Sequence, residues 1–289
     1  SQETINLNQA INTAIRNNTS VSNLEKSLQL QQLNTKTAKG NLFPSLNLTG
    51  GWSRNNTFSS GAVNFQNGVP IQIPSQDSWI NNFGLGVNSQ VTLFNGFSNL
   101  EQIDLEKENE SSVKINLNKE KYDIAYRVTV AYFNVLKNGR IVKANEENLA
   151  DSKRQLEYIQ EYMNVGKKTI SDVYKQDVLV AQNELALERS INELEKSKVD
   201  LLFSMNSDMN SKIEVSDQSI NLDLTETELQ SIVNKSSNTE ALVNTAKENR
   251  YDYKSVLQDI RINETQLSID KKSMYFPTIS AFINYNLNN

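Results

Sequence analysis

Paired carboxylates are the first residues in this 289-residue chain that could do chemistry. Glu146 with Glu147, and Glu106 with Glu108 and Glu110, could supply the acid and base of a hydrolytic site. Such a pair needs two different environments to separate its proton affinities, and these acids lie in a Pro-free, charged stretch that reads as a solvated helix face. The chain has no His and no Cys, which removes the usual general base, thiolate nucleophiles, disulfides and the commonest zinc ligands. No phosphate loop ending in Gly-Lys-Ser or Gly-Lys-Thr occurs, so any energy must come from a partner. The expectation is a protein that is not an enzyme, with no catalytic residue, cofactor or metal.

Contact with another protein is the remaining chemistry, and the segment Val165-Gly166-Lys167-Lys168-Thr169-Ile170-Ser171-Asp172-Val173 is built for it. Gly166 interrupts a long helical pattern and reads as the turn of a helical hairpin. Asp172, or Ser171, is expected to cap the following helix by accepting backbone N–H bonds.

The elements that position this turn are long. From 98 to 164 there is no Pro and only Gly139, while Val128, Val135, Val142, Leu149, Leu156 and Met163 recur at every seventh residue. The stripe resumes after Gly166 with Val173, Val180, Leu187, Leu194 and Leu201. At 1.5 Å per residue the first helix extends about 100 Å. Helices over 171–205 and 239–275, each about half as long, can return stacked alongside it. Between them, 207–238 mixes polar residues with short apolar alternation (Ile213, Val215, Ile220, Leu222, Leu224) and reads as a small mixed waist.

Strands are written as period-two alternation. Phe83, Leu85, Val87, Val91 and Leu93 oppose Asn82, Gly84, Gly86, Asn88, Gln90 and Thr92. Leu46, Leu48 and Trp52 oppose Asn47, Thr49 and Ser53; Ile279, Ala281, Ile283 and Tyr285 oppose Ser280, Asn284 and Asn286. A soluble sheet with one dry face would read the same way. The Asn-, Ser-, Gly- and Pro-rich interval 56–79, expected as a long loop, tips the reading toward membrane strands, with Trp52 and Trp79 in an interfacial girdle. No apolar run is long enough for a spanning helix, so insertion would have to use strands. Helix, aromatic-Pro stop and strand occur twice, at Phe43-Pro44 and Phe276-Pro277, which marks an internal repeat.

The composition agrees with long solvated helices: 37% hydrophobic, 10 Gly and 4 Pro. A net charge of -5 with interspersed signs excludes a nucleic-acid footprint. Ser1-Gln2-Glu3-Thr4 reads as a mature N-terminus after signal removal, and the end at Asn288-Asn289 as a stop within a third strand.

These motifs together resemble the TolC family of outer-membrane factors. Gln90-Val91-Thr92-Leu93-Phe94-Asn95-Gly96-Phe97 resembles its strand-to-helix switch, Ala131-Tyr132-Phe133-Asn134-Val135-Leu136 its long helix, and Asn249-Arg250-Tyr251-Asp252-Tyr253 its Asn-Arg-Pro-Asp-Leu, with Tyr251 in place of Pro. Val165 to Val173 resembles the family's hairpin tip, with Lys167 where Leu is common.

The resemblance implies a mainly α fold with membrane β, a TolC-like α/β-barrel of which this chain is a C-terminally truncated part. It assigns 44–55, 80–94 and 277–289 to outer-membrane barrel strands with 56–79 an extracellular loop, 8–43, 98–206 and 239–276 to a periplasmic helical barrel, and 207–238 to an equatorial region. It implies a homotrimer in the outer membrane of a Gram-negative bacterium, passively conducting small molecules or proteins for a tripartite efflux or type I secretion system. Its partners would be outer-membrane lipid, a periplasmic adaptor (the membrane fusion protein) and, indirectly, an inner-membrane pump. Val165, Gly166, Lys167, Thr169, Ile170, Ser171, Asp172 and Val173 would meet the adaptor, and Ser171 and Asp172 are the gate candidates. The alternatives are a coiled-coil structural or adhesive protein of flagellin-like type, and the adaptor itself.

Overall fold

A computed structural model describes residues 3–216 and 225–288. Its helices are α1 (Leu7–Asn17), α2 (Thr19–Gly40), α3 (Ser98–Asn164), α4 (Ile170–Ser204), α5 (Glu226–Ser237), α6 (Thr239–Asn249) and α7 (Tyr251–Tyr275). Its strands are β1 (Glu3–Ile5), β2 (Ser45–Ser59), β3 (Ala62–Gln66), β4 (Val69–Ile73), β5 (Gln76–Phe94), β6 (Ile213–Val215) and β7 (Ile279–Asn288). The chain divides into two compact units, one holding residues up to Gln29 and Ser112–Leu257, the other Leu30–Ser111 and the residues from Gln258 onward.

In the first unit, the core gathers Ala10 and Ala14 of α1, Ile124, Val128, Tyr132 and Val135 of α3, and Leu201 and Leu202 of α4. The two alanines let helices approach closely, and the aliphatic side chains fill the layer between them. Tyr132 is fully buried, and its hydroxyl donates toward the carbonyl oxygens of Ser216 at 2.5 Å and Ile5 at 3.1 Å. That single group ties α3 to the ends of β1 and β6, which pair in parallel. β1 was not anticipated, because three residues hold too little alternation to be seen. Of the expected waist, Ile213 and Val215 form β6, whereas Ile220, Leu222 and Leu224 lie outside the described residues.

α3 and α4 form an antiparallel hairpin whose seam is not wholly apolar. Three residues after most stripe positions stands a small or amide residue, among them Asn138, Asn145 and Ser152 on α3 and Gln176, Asn183, Ser190 and Ser197 on α4; Ile159, after Leu156, is the exception. The amides donate across to backbone oxygens, Asn138 to Glu193, Asn145 to Ala186 and Asn183 to Asn148 at 3.4 Å, and Gln176 to Ser152 at 3.0 Å. The buried serines turn inward to their own helix, each donating to the carbonyl three residues earlier. Apolar layers supply the attraction and the amide layers fix the register, since sliding one helix would strand the buried amides of Asn138 and Gln176.

The expected 239–275 helix is divided: α6 ends and α7 begins about Arg250, whose extended backbone (φ -72°, ψ 120°) breaks the ladder. The repeat explains it. Asn18 separates α1 from α2 with nearly the same backbone (φ -80°, ψ 121°), and α1 and α6 are both 11 residues long.

In the second unit, β2, β5 and β7 form an antiparallel sheet in the order β2-β5-β7. The interval 56–79, expected as a loop, is mostly strand: β2 and β5 stay paired up to Ser59 opposite Gln76, and β3 and β4 form a second hairpin. Its Asn67-Gly68 turn has φ of 52° and 83°, the left-handed pair that matches the twist of a two-residue hairpin, flanked by alternating Val63, Phe65, Val69, Ile71 and Ile73. The high Asn and Ser content masked that pattern. At the other end β5 passes into α3 through Gly96 (φ 66°) and Phe97 (φ 64°). A Cβ at Gly96 would lie 2.7 Å from the Phe276 ring, so only glycine fits beneath the edge-to-face contacts that Phe94 makes with Phe97 and Phe276.

Replacing Tyr132 with Phe keeps the packing and removes the hydroxyl donor to the Ser216 and Ile5 carbonyls, of which Ile5 O keeps the Ser216 N–H at 3.2 Å. The expected cost is about 1–3 kcal/mol, seen as a lower unfolding midpoint with helical content unchanged below the transition.

Candidate functional site

The tip is made by two helix-end devices placed back to back. α3 closes with Gly166 in the left-handed region (φ 75°), its N–H donating to Met163 O at 2.9 Å and that of Lys167 to Tyr162 O at 2.8 Å, a Schellman closure. α4 opens on Thr169, which is its N-cap: Thr169 Oγ1 accepts from Asp172 N, and the Asp172 carboxylate accepts the Thr169 backbone N–H and hydroxyl at 2.9 Å. The cap is therefore Thr169, neither Ser171 nor Asp172 as anticipated; Asp172 is its reciprocal partner one turn in. A Thr followed three residues later by an acid carries that signal in sequence.

The structure brings Val165, Gly166, Lys167, Thr169, Ile170, Ser171 and Asp172 together at this turn. Val165 is 68% exposed and Ile170 53%, apolar side chains with nothing over them in the protomer. Val173 instead is buried and continues the hairpin stripe. Sequence reading missed three tyrosines here. Tyr158 and Tyr162 stack with centroids 4.3 Å apart, Lys167 Nζ lies 5.5 Å from the Tyr162 ring, and Tyr174 is exposed. The four-residue spacing of Tyr158 and Tyr162 on one helix face was the available clue.

Of the carboxylates first considered for acid-base work, Glu106, Glu108 and Glu110 are spent on helix contacts. Glu106 accepts from Gln31 of α2 and Glu110 from Gln32, while Glu108 Oε2 accepts from the buried Gln258 of α7 at 2.5 Å. At the α6–α7 joint, Arg250 binds Asp252 through two nitrogens, Nε at 3.0 Å and Nη2 at 2.5 Å, and this pushes the Asp252 carboxyl down to about 2. Tyr251, the departure from the family's Pro, is the first residue of α7. Pro is favoured there because that N–H has no helical partner, so Tyr is accommodated without loss.

The sheet presents two unlike faces. On one lie Leu46, Leu48, Trp52, Phe83, Leu85, Ile283, Tyr285 and Leu287, exposed in the protomer (Leu46 76%, Ile283 74%), together with half-buried Val87. The other carries rows of uncharged polar and small residues: Asn47, Asn88 and Asn284; Thr49, Gly86 and Asn286; Gly51, Gly84 and Asn288. No helix among the described residues is long and apolar enough to cross a membrane.

Residues 10–207 match the family model described as outer membrane efflux protein. No curated protein matches at a significant level. The fold is similar to that of CusC (TM-score 0.71, 12% identity, 98% of this chain and 60% of that one). It is also similar to the outer membrane protein VceC of Vibrio cholerae (0.69, 17%, 97% and 62%) and the CmeC outer membrane channel of Campylobacter jejuni (0.66, 14%, 98% and 61%). The chain thus spans about three fifths of the length of these solved proteins.

Backbone and hydroxyl hydrogen bonds from Thr169 hold the Asp172 carboxyl below the ordinary aspartate value, aided by Lys168 and Lys175. A lowered native value means the box contributes fully above the ordinary aspartate value of about 3.9 and is lost as pH falls through the lowered one. Amide exchange at Thr169 and Asp172 should accelerate across that acidic window relative to mid-α4 amides, and Asp172→Asn should remove the pH dependence.

Proposed function

Because the chain belongs to the outer membrane efflux protein family, we propose that it forms part of a passive duct in the outer membrane of a Gram-negative bacterium, serving a tripartite efflux or type I secretion assembly. The observation that carries this reading is the sorted sheet joined through Phe94, Gly96 and Phe97 directly to a 67-residue helix. Along β5 the apolar face from Phe83 to Leu93 is about 33 Å long at 3.3 Å per residue. At a tilt of about 40° it covers about 25 Å, the height of the apolar band on membrane barrels. In lipid each unpaired backbone group along a strand edge would cost several kcal/mol, and among the described residues β2 and β7 both have a free edge in the protomer. Closure by copies around a threefold axis satisfies them. The polar rows then face water, and the β3–β4 hairpin lies outside the cell.

The tip is the docking point for a periplasmic adaptor. Val165 and Ile170 supply apolar contact, while Lys167, where the family commonly has Leu, makes it more polar than is common there. Ser171 and Asp172 act at the gate, and the work is done by an inner-membrane pump coupled through the adaptor. The family match leaves the filament and adaptor alternatives without support.

A Cβ at Gly166 meets nothing within 4 Å, so Gly166→Asp adds only the left-handed backbone penalty of about 1–2 kcal/mol. The variant is expected to fold and reach the membrane as a trimer yet fail to co-purify with the adaptor; retained co-purification and export would contradict the docking assignment. Asp172→Ala in the full-length protein is expected to raise single-channel conductance, and an unchanged conductance would remove Asp172 from the gate.

A further inference from the structure

Between Lys39 and Lys107 the chain has one cation, Arg54. β7 has none, so Arg54 is the sole positive charge on the sheet and its hairpin. The register places it on the apolar face and not among the polar rows: Arg54 opposes Asn81, one row beyond Trp52 opposite Phe83 and one row short of Asn56 opposite Trp79. A charge on that face is costly wherever lipid tails reach, and the cost falls toward zero only at the interface. Its guanidinium carbon is 4.3 Å from the Trp79 ring centroid, a stacked position that holds the fork away from the apolar rows. Among the described residues no carboxylate pairs with it. The sheet's single acid, Asp77, opposes Phe58 on the same face, four residues further along the ladder. The guanidinium's neighbours on this face, Asn81 across the ladder and Asn56 two residues along the same strand, are amides with N–H donors.

We propose that Arg54, presented on Trp79 and flanked by Asn56 and Asn81, binds the phosphate of a lipid headgroup at the outward rim of the apolar band. This rests on the membrane reading above. The match is chemical. A planar guanidinium binds a phosphate through two parallel N–H bonds, neighbouring amides satisfy further oxygens, and the Trp ring belongs at headgroup depth. A lipid brings that anion to the right height, where the aliphatic rows below hold its chains. The occupant is thus an anionic phospholipid or phosphorylated glycolipid of the outer leaflet, bound once per protomer.

The two tryptophans of these 289 residues, Trp52 and Trp79, are both on this face, so with any tryptophan elsewhere in the full-length protein replaced by Phe the intrinsic fluorescence reports this sheet. The full-length protein is reconstituted in phosphatidylcholine vesicles carrying a rising fraction of phosphatidic acid, and its unfolding midpoint is followed. The wild-type midpoint should rise by several degrees as the lipid saturates. Arg54→Gln should need about tenfold more phosphatidic acid for the same rise, and Arg54→Lys should fall between, keeping charge without the fork. Inorganic phosphate added to phosphatidylcholine vesicles should give no rise. Equal response of Arg54→Gln and wild type overturns the proposal, and a rise with inorganic phosphate equal to that with the lipid overturns the assignment to a lipid. Brominated phosphatidylcholine separates the two layers of the argument. Failure to quench the tryptophans sinks the membrane reading and this proposal with it, whereas quenching with an unchanged Arg54→Gln sinks this proposal alone.

Discussion

The pairing of β2, β5 and β7 is the constraint on which the rest depends, because a strand has period two and a slip of one residue would exchange its faces. In the observed register every pair from Leu46 opposite Ser89 to Trp52 opposite Phe83 keeps the aliphatic and aromatic side chains together, and Asn47, Asn88 and Asn284 fall in one row on the reverse. The sheet has no protein to cover its apolar face, so it is competent only where something else removes that face from water. The proposed duct supplies lipid on that side and water on the other.

The helices solve a different problem, which is to extend far without a thick core. α3 and α4 alternate apolar layers with amide and serine layers, so that attraction and register are handled by different residues. Asn138, Asn145 and Asn183 reach carbonyls on the facing helix, and such bonds are worth most when they cannot be replaced by water. The hairpin ends in a turn closed by backbone geometry at Gly166 and by the Thr169–Asp172 box, which leaves Val165, Lys167 and Ile170 free to meet a partner. Tyr132 performs the corresponding task at the other landmark of α3, fastening β1 and β6 to the helix by one buried hydroxyl.

Much of this was legible in residue order. The heptad stripe, the Gly166 turn, the repeated helix-stop-strand plan and the alternation of 83–93 all appear in the structure, since each is a local pattern with a local cause. What escaped had a non-local or disguised cause. β1 becomes a strand only because β6 comes to pair with it, and the break at Arg250 shows only against its counterpart Asn18. The β3–β4 hairpin was hidden by composition, although Asn67-Gly68 between alternating apolar residues signals it. The polar half of the hairpin seam was overlooked because Asn145 or Ser190 looks like surface until the facing helix is in place. Of the tip, position was readable and the capping role was misassigned, by two or three residues, since Thr169, Ser171 and Asp172 are all good caps and only geometry distinguishes them.

The most direct test of the central claim uses the absence of cysteine from these 289 residues, with any cysteine elsewhere in the full-length protein replaced by Ser. Single cysteines introduced from 46 to 52 and from 82 to 92 in the full-length protein, spin-labelled and reconstituted in bilayers, can be probed with oxygen, which concentrates in lipid, and with a water-soluble nickel chelate. The account predicts period-two alternation in antiphase for the two quenchers, with positions 46, 48, 52, 83, 85 and 87 facing lipid and 47, 49, 82, 84, 86 and 88 facing water. Uniform access of the nickel chelate to both sets would contradict it.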